Sequence, residues 1–164
     1  TRRSSDLAMR RMGRGRIVMC SSVLGFVSGP YRGAYCASKY ALEALSDALR
    51  VELRPAGIRV SLLEPGPIES HFLATTLSTF TSHIETDRSP HREAYERRLA
   101  QMQSGGGKSG PFKLGPDAVV AKLVHALESP RPRARYRIGL MTKGAFMPKR
   151  LLPDALLDRL VARM

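Results

Sequence analysis

Two short apolar runs flank a long amphipathic segment, and this order restricts the fold more than any other feature of the sequence. Residues 16–21, "RIVMCS", and 58–65, "IRVSLLEP", are continuous apolar runs bounded by glycine or proline, as in strands buried on both faces. Between them, alanine and leucine recur every three or four residues, the period of a helix. A strand, a crossover helix and a second strand predict a parallel α/β fold.

The remaining chain predicts further helices and one more strand. Helical segments are expected at 6–12, 90–102, 117–127 and 153–161, and a strand at 134–140, "ARYRIGL". No further strand is evident between residues 70 and 116. The run "SGGGKSG" at 104–110 suggests a phosphate-binding loop, but Met102 occupies its first glycine position and a helix precedes it. A flexible surface loop is the preferred interpretation.

Charge is the compositional feature that bears most on possible partners. The chain has 27 basic and 14 acidic residues and a net charge of +13. The basic residues concentrate near the N-terminus and in a basic C-terminal extension at 129–164. No zinc-finger, helix-turn-helix or RNA-binding pattern accompanies them, and no aromatic residues are interleaved at stacking spacing. We therefore expect no nucleic-acid binding as the main function, although charge alone leaves it as an alternative.

Cysteine use and hydropathy bear on the compartment. The two cysteines form no CxxC motif and the four histidines form no close pair, so we expect no metal site and a cytoplasmic location. A disulfide between Cys20 and Cys36 is the open alternative. No run approaches the roughly 20 apolar residues of a membrane-spanning helix. The first residue is Thr1 rather than methionine, which suggests a fragment or a trimmed chain.

Tyr35 and Lys39 lie four residues apart and share one face of the predicted helix. An ammonium about 4 Å from a phenol, at an effective dielectric constant near 20, contributes roughly 4 kcal/mol. This interaction would lower the phenol pKa by up to about three units and make it useful for proton transfer at neutral pH. An ordinary surface pair is the alternative that the spacing alone allows.

The run from residue 10 to residue 70 resembles the classical short-chain dehydrogenase/reductase family. Tyr35 and Lys39 match its YxxxK signature, and Ser22 stands thirteen residues before the tyrosine, as the family's active-site serine does. The proline-glycine motif and a hydroxyl residue follow the next strand as Pro65, Gly66 and Ser70. The tail "ESPRPRARYRIG" resembles, more weakly, the branch with retinol- and 17β-hydroxysteroid-dehydrogenase-like members.

The resemblance implies a Rossmann-like, doubly wound parallel sheet of which residues 1–164 form the C-terminal half only. The family's glycine-rich turn, which holds the cofactor pyrophosphate, is absent: Gly13 and Gly15 follow a helix and cannot supply it. The residue that chooses between NAD and NADP is therefore not visible. We expect the chain by itself not to catalyse.

The resemblance also implies the roles of individual residues in hydride transfer between NAD or NADP and a carbonyl/alcohol substrate. Tyr35 would be the acid/base, Lys39 would lower its pKa and hold the ribose, and Ser22 would hydrogen-bond the substrate oxygen. The implied cofactor-binding residues are Tyr35, Lys39, Pro65, Gly66, Pro67, Ile68 and Ser70. Residues 70–116 would form a substrate lid.

The lid residues Phe72, Leu73, Leu77 and Phe80 favour a hydrophobic substrate, with plain packing as an equal alternative.

Two stripes on the predicted helix bear on assembly. One contains Ala37, Ala41, Ala44 and Ala48, and the other contains Leu42, Leu45, Leu49 and Leu53. Both cannot face one sheet, so one is expected to pack on the sheet. The resemblance implies that the other packs on a partner subunit, which would make the complete enzyme a homo-oligomer, and the alternative is that the preceding helix of the same chain covers it. Glu43, Asp47 and Arg50 are expected to face water. The alternative to an enzyme is a non-catalytic remnant, or a basic binding module that reuses the fold.

Overall fold

The computed structural model describes residues 2–103 and 112–162, apart from the side chains of residues 2–6 and 101, and the predicted loop at 104–110 lies outside this part. The helices are α1 (Arg2–Met12), α2 (Gly33–Glu52), α3 (Phe72–His83), α4 (Arg92–Gln103), α5 (Asp117–Glu128), α6 (Leu140–Leu151) and α7 (Asp154–Val161). The strands are β1 (Gly15–Cys20), β2 (Ile58–Pro65) and β3 (Arg135–Ile138), and short 3-10 turns cover Val23–Gly25 and Arg54–Ala56.

The described strands form one parallel sheet in the order β1-β2-β3. Ile17 pairs with Val60 across the first ladder, and Leu62 pairs with Arg135 across the second. The central strand β2 is therefore bonded on both sides, and Leu62 in it is fully buried. The predicted parallel α/β arrangement is confirmed.

Alternation along the strands directs side chains to two apolar layers. Ile58 and Val60 of β2 pack with Leu53 on the face that carries α2. Leu63, at an odd-numbered position of β2, packs with Ala126 of α5 on the opposite face. Tyr136 and Ile138 of β3 complete that second layer. Both faces of the sheet are thus covered by helices, which explains why the strands read as continuous apolar runs.

The helix α2 presents a different face to the sheet than its stripes suggest. Cys36, Glu43 and Ser46 are buried, whereas the alanine stripe is exposed. The expectation that Glu43 faces water is wrong, because this side chain turns inward toward a cation on β3. Leu53 is buried, whereas Leu45 keeps 41% of its surface exposed.

Two helices, α3 and α6, were not predicted from the sequence. The first is rich in serine and threonine, whose side chains compete for backbone hydrogen bonds and lower helix propensity. The second contains Gly144 and Pro148, which normally interrupt helices.

In the described part of the chain, no helix combines the length and the apolar character that crossing a bilayer requires.

Gly57 makes the turn into β2 with φ of +70°, and a Cβ there would lie 2.1 Å from the carbonyl oxygen of Gly13. Replacing Gly57 with alanine should lower the free energy of unfolding by about 2 kcal/mol or more, because left-handed strain and a backbone clash add. Urea denaturation measures the loss. Gly33→Ala is the matched control, since a Cβ at Gly33 meets open space. Equal stability of both variants would contradict the prediction.

Candidate active site

The sequence-predicted site residues converge at the carboxyl ends of β1 and β2. Ser22 follows β1 directly, and its Oγ accepts a hydrogen bond from the Leu24 amide at 3.2 Å, which begins a short 3-10 turn. Tyr35 lies in the first turn of α2, and Lys39 lies one turn later. The carboxyl ends of parallel strands are where open α/β sheets bind ligands.

Ser22, Tyr35 and Lys39 lie close enough to act on one bound molecule. The Ser22 hydroxyl lies near enough to the Tyr35 phenol to lower the pKa of that phenol. Lys39 Nζ donates to the carbonyl oxygen of Cys20 at 2.9 Å and lies 5.6 Å from the centroid of the Tyr35 ring. The lysine is therefore anchored by the end of β1, beside the tyrosine.

The prediction that the pKa of the Tyr35 phenol is lowered is wrong for the structure. Burial raises the pKa of the Tyr35 phenol above its ordinary value, and the hydrogen bond from Ser22 lowers it only in part. The Lys39 ammonium is hydrogen-bonded to the Cys20 carbonyl. Tyr35 is consequently a protonated phenol at neutral pH.

The segment 65–68 offers backbone groups rather than side chains to a ligand. The Gly66 amide donates to the Ile138 carbonyl at 2.9 Å, and a Cβ on Gly66 would lie 2.8 Å from Thr142 Oγ1. The bridge between Ile68 and Leu114 uses the Pro67 carbonyl and the Glu69 amide. The N–H and C=O of Ile68 itself therefore point away from Leu114. They fit a planar carboxamide, such as that of a nicotinamide, which needs one donor and one acceptor.

An aromatic side chain that the motifs did not identify lies against Tyr35. Phe72 begins α3, and its ring centroid is 5.7 Å from that of Tyr35. Ser70, two residues earlier, accepts a hydrogen bond from the Phe72 amide at 3.4 Å, a long contact. Phe72 remains 59% exposed, so one side of its ring is available to a ligand. The apolar character of residue 72 was the only sequence signal for this contact.

The helices α3 and α4 pack on each other through aromatic rings. Phe80 of α3 and Tyr95 of α4 have centroids 5.6 Å apart, and Tyr95 also contacts Tyr31 at 6.2 Å. Tyr31 belongs to the loop before α2, so this pair of helices reaches over the segment that leads to Tyr35. Leu73 and Leu77 of α3 are half-buried.

Neither cysteine is in a disulfide in this structure. Cys20 is exposed at the end of β1, and Cys36 is buried in α2. Across residues 2–103 and 112–162, no three histidine, cysteine, aspartate or glutamate side chains cluster as metal ligands would.

The site geometry agrees with comparisons to known proteins. A family model described as "short chain dehydrogenase" matches residues 3–79. The uncharacterized oxidoreductase YbbO of Escherichia coli (strain K12) is 46% identical over 94% of this chain. The chain belongs to the short-chain dehydrogenase family.

Two further short-chain dehydrogenases extend the comparison. Human 17-beta-hydroxysteroid dehydrogenase type 6 is 34% identical over 97% of this chain. A short chain dehydrogenase from Burkholderia cenocepacia J2315, solved in complex with NADP, superposes with a TM-score of 0.65 over 98% of this chain and 52% of its own. Its sequence identity of 21% shows the shared fold alone. The chain spans about half the length of the curated relatives it matches, with 51% coverage of both YbbO and the human enzyme.

Proposed function

We propose that this chain supplies the catalytic residues of an oxidoreductase that transfers hydride between NAD or NADP and a carbonyl/alcohol substrate. The observation that carries the proposal is the proximity of the Ser22 hydroxyl to the Tyr35 phenol, with the Lys39 ammonium beside the tyrosine ring. Family membership supports the same activity. Ser22, Tyr35 and Lys39 are the proposed catalytic residues.

In carbonyl reduction, the nicotinamide would supply the hydride to the carbonyl carbon. The Ser22 hydroxyl would donate a hydrogen bond to the substrate oxygen and orient it. Tyr35 would then donate its proton to that oxygen as negative charge develops there. A phenol whose pKa is raised by burial is in the form that this proton donation requires. The Lys39 ammonium would stabilise the resulting phenolate.

The proposed cofactor contacts extend from α2 to the loop after β2. Tyr35 and Lys39 would face the nicotinamide ribose, and the Ile68 backbone would bind the carboxamide. The proposed set also includes Pro65, Gly66, Pro67 and Ser70. Family membership supports a nicotinamide dinucleotide, and the choice between NAD and NADP stays open.

We propose an apolar small-molecule substrate. The exposed ring of Phe72 against Tyr35 supports this class, as does the substrate named for the human hydroxysteroid relative. Residues 70–116 would act as the lid. The exposed alanine stripe of α2 supports a homo-oligomer, and the free thiols support a cytoplasmic location.

The direct test measures NADH and NADPH oxidation by the full-length protein with a panel of apolar ketones. Ser22→Ala should lower kcat about 100-fold, because one donor to the developing oxyanion is removed. Ser38→Ala is the control: its exposed hydroxyl donates only to the Tyr35 carbonyl within α2, and we expect kcat within about twofold of the parent. Absence of cofactor-dependent turnover in the parent protein would instead favour a non-catalytic remnant or a binding module.

A further inference from the structure

Charged side chains from three elements meet on the α2 face of the sheet. Arg135 on β3 donates through Nη1 to Glu43 Oε2 and, at 2.8 Å, to Glu64 Oε1. Its Nη2 donates to Asp47 Oδ2 at 2.6 Å. One guanidinium thus binds two carboxylates of α2 and one of β2. The charge cluster, as we call it, consists of Glu43, Asp47, Glu64, Arg135 and Arg137.

The burial of this cluster makes Arg135 essential to its arrangement. The Glu64 side chain is 1% exposed and that of Glu43 is 10% exposed. Burial raises the pKa of Glu64, and the hydrogen bond from Arg135 acts in the opposite direction. Arg137 Nε lies 3.3 Å from Glu64 Oε2 but is not aligned for a hydrogen bond. Without Arg135, the buried carboxylates of Glu43 and Glu64 would lose the guanidinium that hydrogen-bonds to both of them.

The cluster touches the two segments that hold the proposed reaction components. Glu43 lies one helical turn after Lys39, which places it about 6 Å further along α2. Glu64 is bonded directly to Pro65 and so to the proposed nicotinamide-binding segment at 65–68. Because a helix moves as a rigid body, a shift of α2 at Glu43 also displaces Lys39 and Tyr35.

Glu43 also lies against the loop that carries Ser22. A Cβ on Gly25 would lie 2.5 Å from Ser21 Oγ and 3.1 Å from Glu43 Oε1, so both atoms are close to the Gly25 backbone. Both oxygens are buried and have no hydrogen-bond partner in the structure. The carboxylate of Glu43 therefore lies close to the backbone of Gly25, in the turn that follows Ser22.

The outer side of the cluster is covered by α6. The guanidinium carbon of Arg137 lies 3.5 Å from the centroid of the Phe146 ring, a stacked cation–π contact. Phe146 in turn meets Phe26 edge-on at 6.0 Å. Phe146 therefore joins α6 to the cluster, and its ring lines an open pocket together with Glu43, Glu64 and Arg135.

We propose that Arg135 is a positioning residue, which fixes the helix carrying Tyr35 and Lys39 against the segment 65–68. This inference rests on the proposed function. Active-site groups must be held within a fraction of an ångström, and a displacement of about 1 Å can cost on the order of 100-fold in rate. Arg135 is outside the proposed set of substrate and cofactor contacts, and it would act through Glu43 and Glu64.

The test compares Arg135→Met with Arg133→Met in the full-length protein. Arg133 is an exposed arginine two residues earlier, so both variants lose the same charge. At a temperature where both are folded by their melting curves, we expect kcat of Arg135→Met to fall about 10- to 100-fold with cofactor and substrate saturating. The KM for the cofactor should change less than kcat. Arg135→Lys, which keeps a cation but not the three-way contact, should recover part of the loss.

A second readout needs no cofactor. In protein labelled with 13C at tyrosine Cζ, the Tyr35 resonance, assigned by its loss in Tyr35→Phe, should shift in Arg135→Met and not in Arg133→Met. A lower melting temperature of Arg135→Met with kcat within twofold of the parent and an unmoved Tyr35 resonance would overturn the proposal, since the role would then be stability alone. If Arg135→Met does not fold, Glu43→Gln is judged by the same readouts.

The two proposals can fail separately. If the parent protein shows no NAD(P)-dependent turnover, the proposed function fails, and the Tyr35 resonance still tests whether Arg135 positions this side chain. If Tyr35→Phe abolishes turnover but Arg135→Met does not reduce it, the proposed function stands and the positioning role is rejected.

Discussion

Tyr35→Phe in the full-length protein should reduce kcat about a thousandfold while leaving cofactor affinity nearly unchanged. The substitution removes one oxygen, the proposed proton donor, and general acid catalysis contributes roughly 10²- to 10⁴-fold. The ring is retained, so its contact with Phe72 and the packing of α2 should persist. Turnover with saturating NADH or NADPH, together with cofactor titration by fluorescence, measures the two quantities separately.

Tyr31→Phe is the matched control for this variant. It removes the same atom from a tyrosine four residues earlier that is 61% exposed, and it keeps the ring contact with Tyr95. We expect its kcat to stay within about twofold of the parent. A Tyr35→Phe variant that kept a tenth of the activity would show that another group is the acid.

Leu62→Ala should lower the free energy of unfolding by about 2–5 kcal/mol. Leu62 is fully buried in the central strand, which is hydrogen-bonded to a strand on each side. These bonds hold the surrounding backbone in place, so it cannot collapse into the cavity that the shorter side chain leaves. Urea denaturation of the full-length protein measures the change. Leu62→Met nearly conserves volume at the same site and should cost less than about 1.5 kcal/mol. A loss below 1 kcal/mol for the alanine variant would mean that the site is less tightly packed than the structure shows.

The parallel sheet could be predicted because its signals are local. Residues 16–21 and 58–65 are continuous apolar runs, and the helix period between them is long enough to be unambiguous. The proximity of Ser22, Tyr35 and Lys39 also follows from their local order, since a strand end and a helix start in one β-α unit lie at the same edge. The catalytic roles of these residues stay predictions.

What the sequence could not predict depends on partners far along the chain. Glu43 has the position of a solvent-facing residue on its helix, but its partner Arg135 is 92 residues away. The pKa of Tyr35 depends on burial and on where the Lys39 ammonium points, and residue spacing contains neither. The helix α3 has weak intrinsic propensity, and its contacts with α4 are tertiary.

The charge cluster also constrains how this part of the sequence can change over evolutionary time. Glu43, Glu64 and Arg135 come from three separate segments. An uncharged residue at position 135 leaves two buried carboxylates without their shared cation, and one at position 43 or 64 removes one of the ion pairs of Arg135. Each position is therefore conditional on the other two. A substitution at one of these positions requires compensating substitutions at the others. We therefore expect coordinated evolution of α2, which carries the proposed catalytic residues, and of the strands β2 and β3.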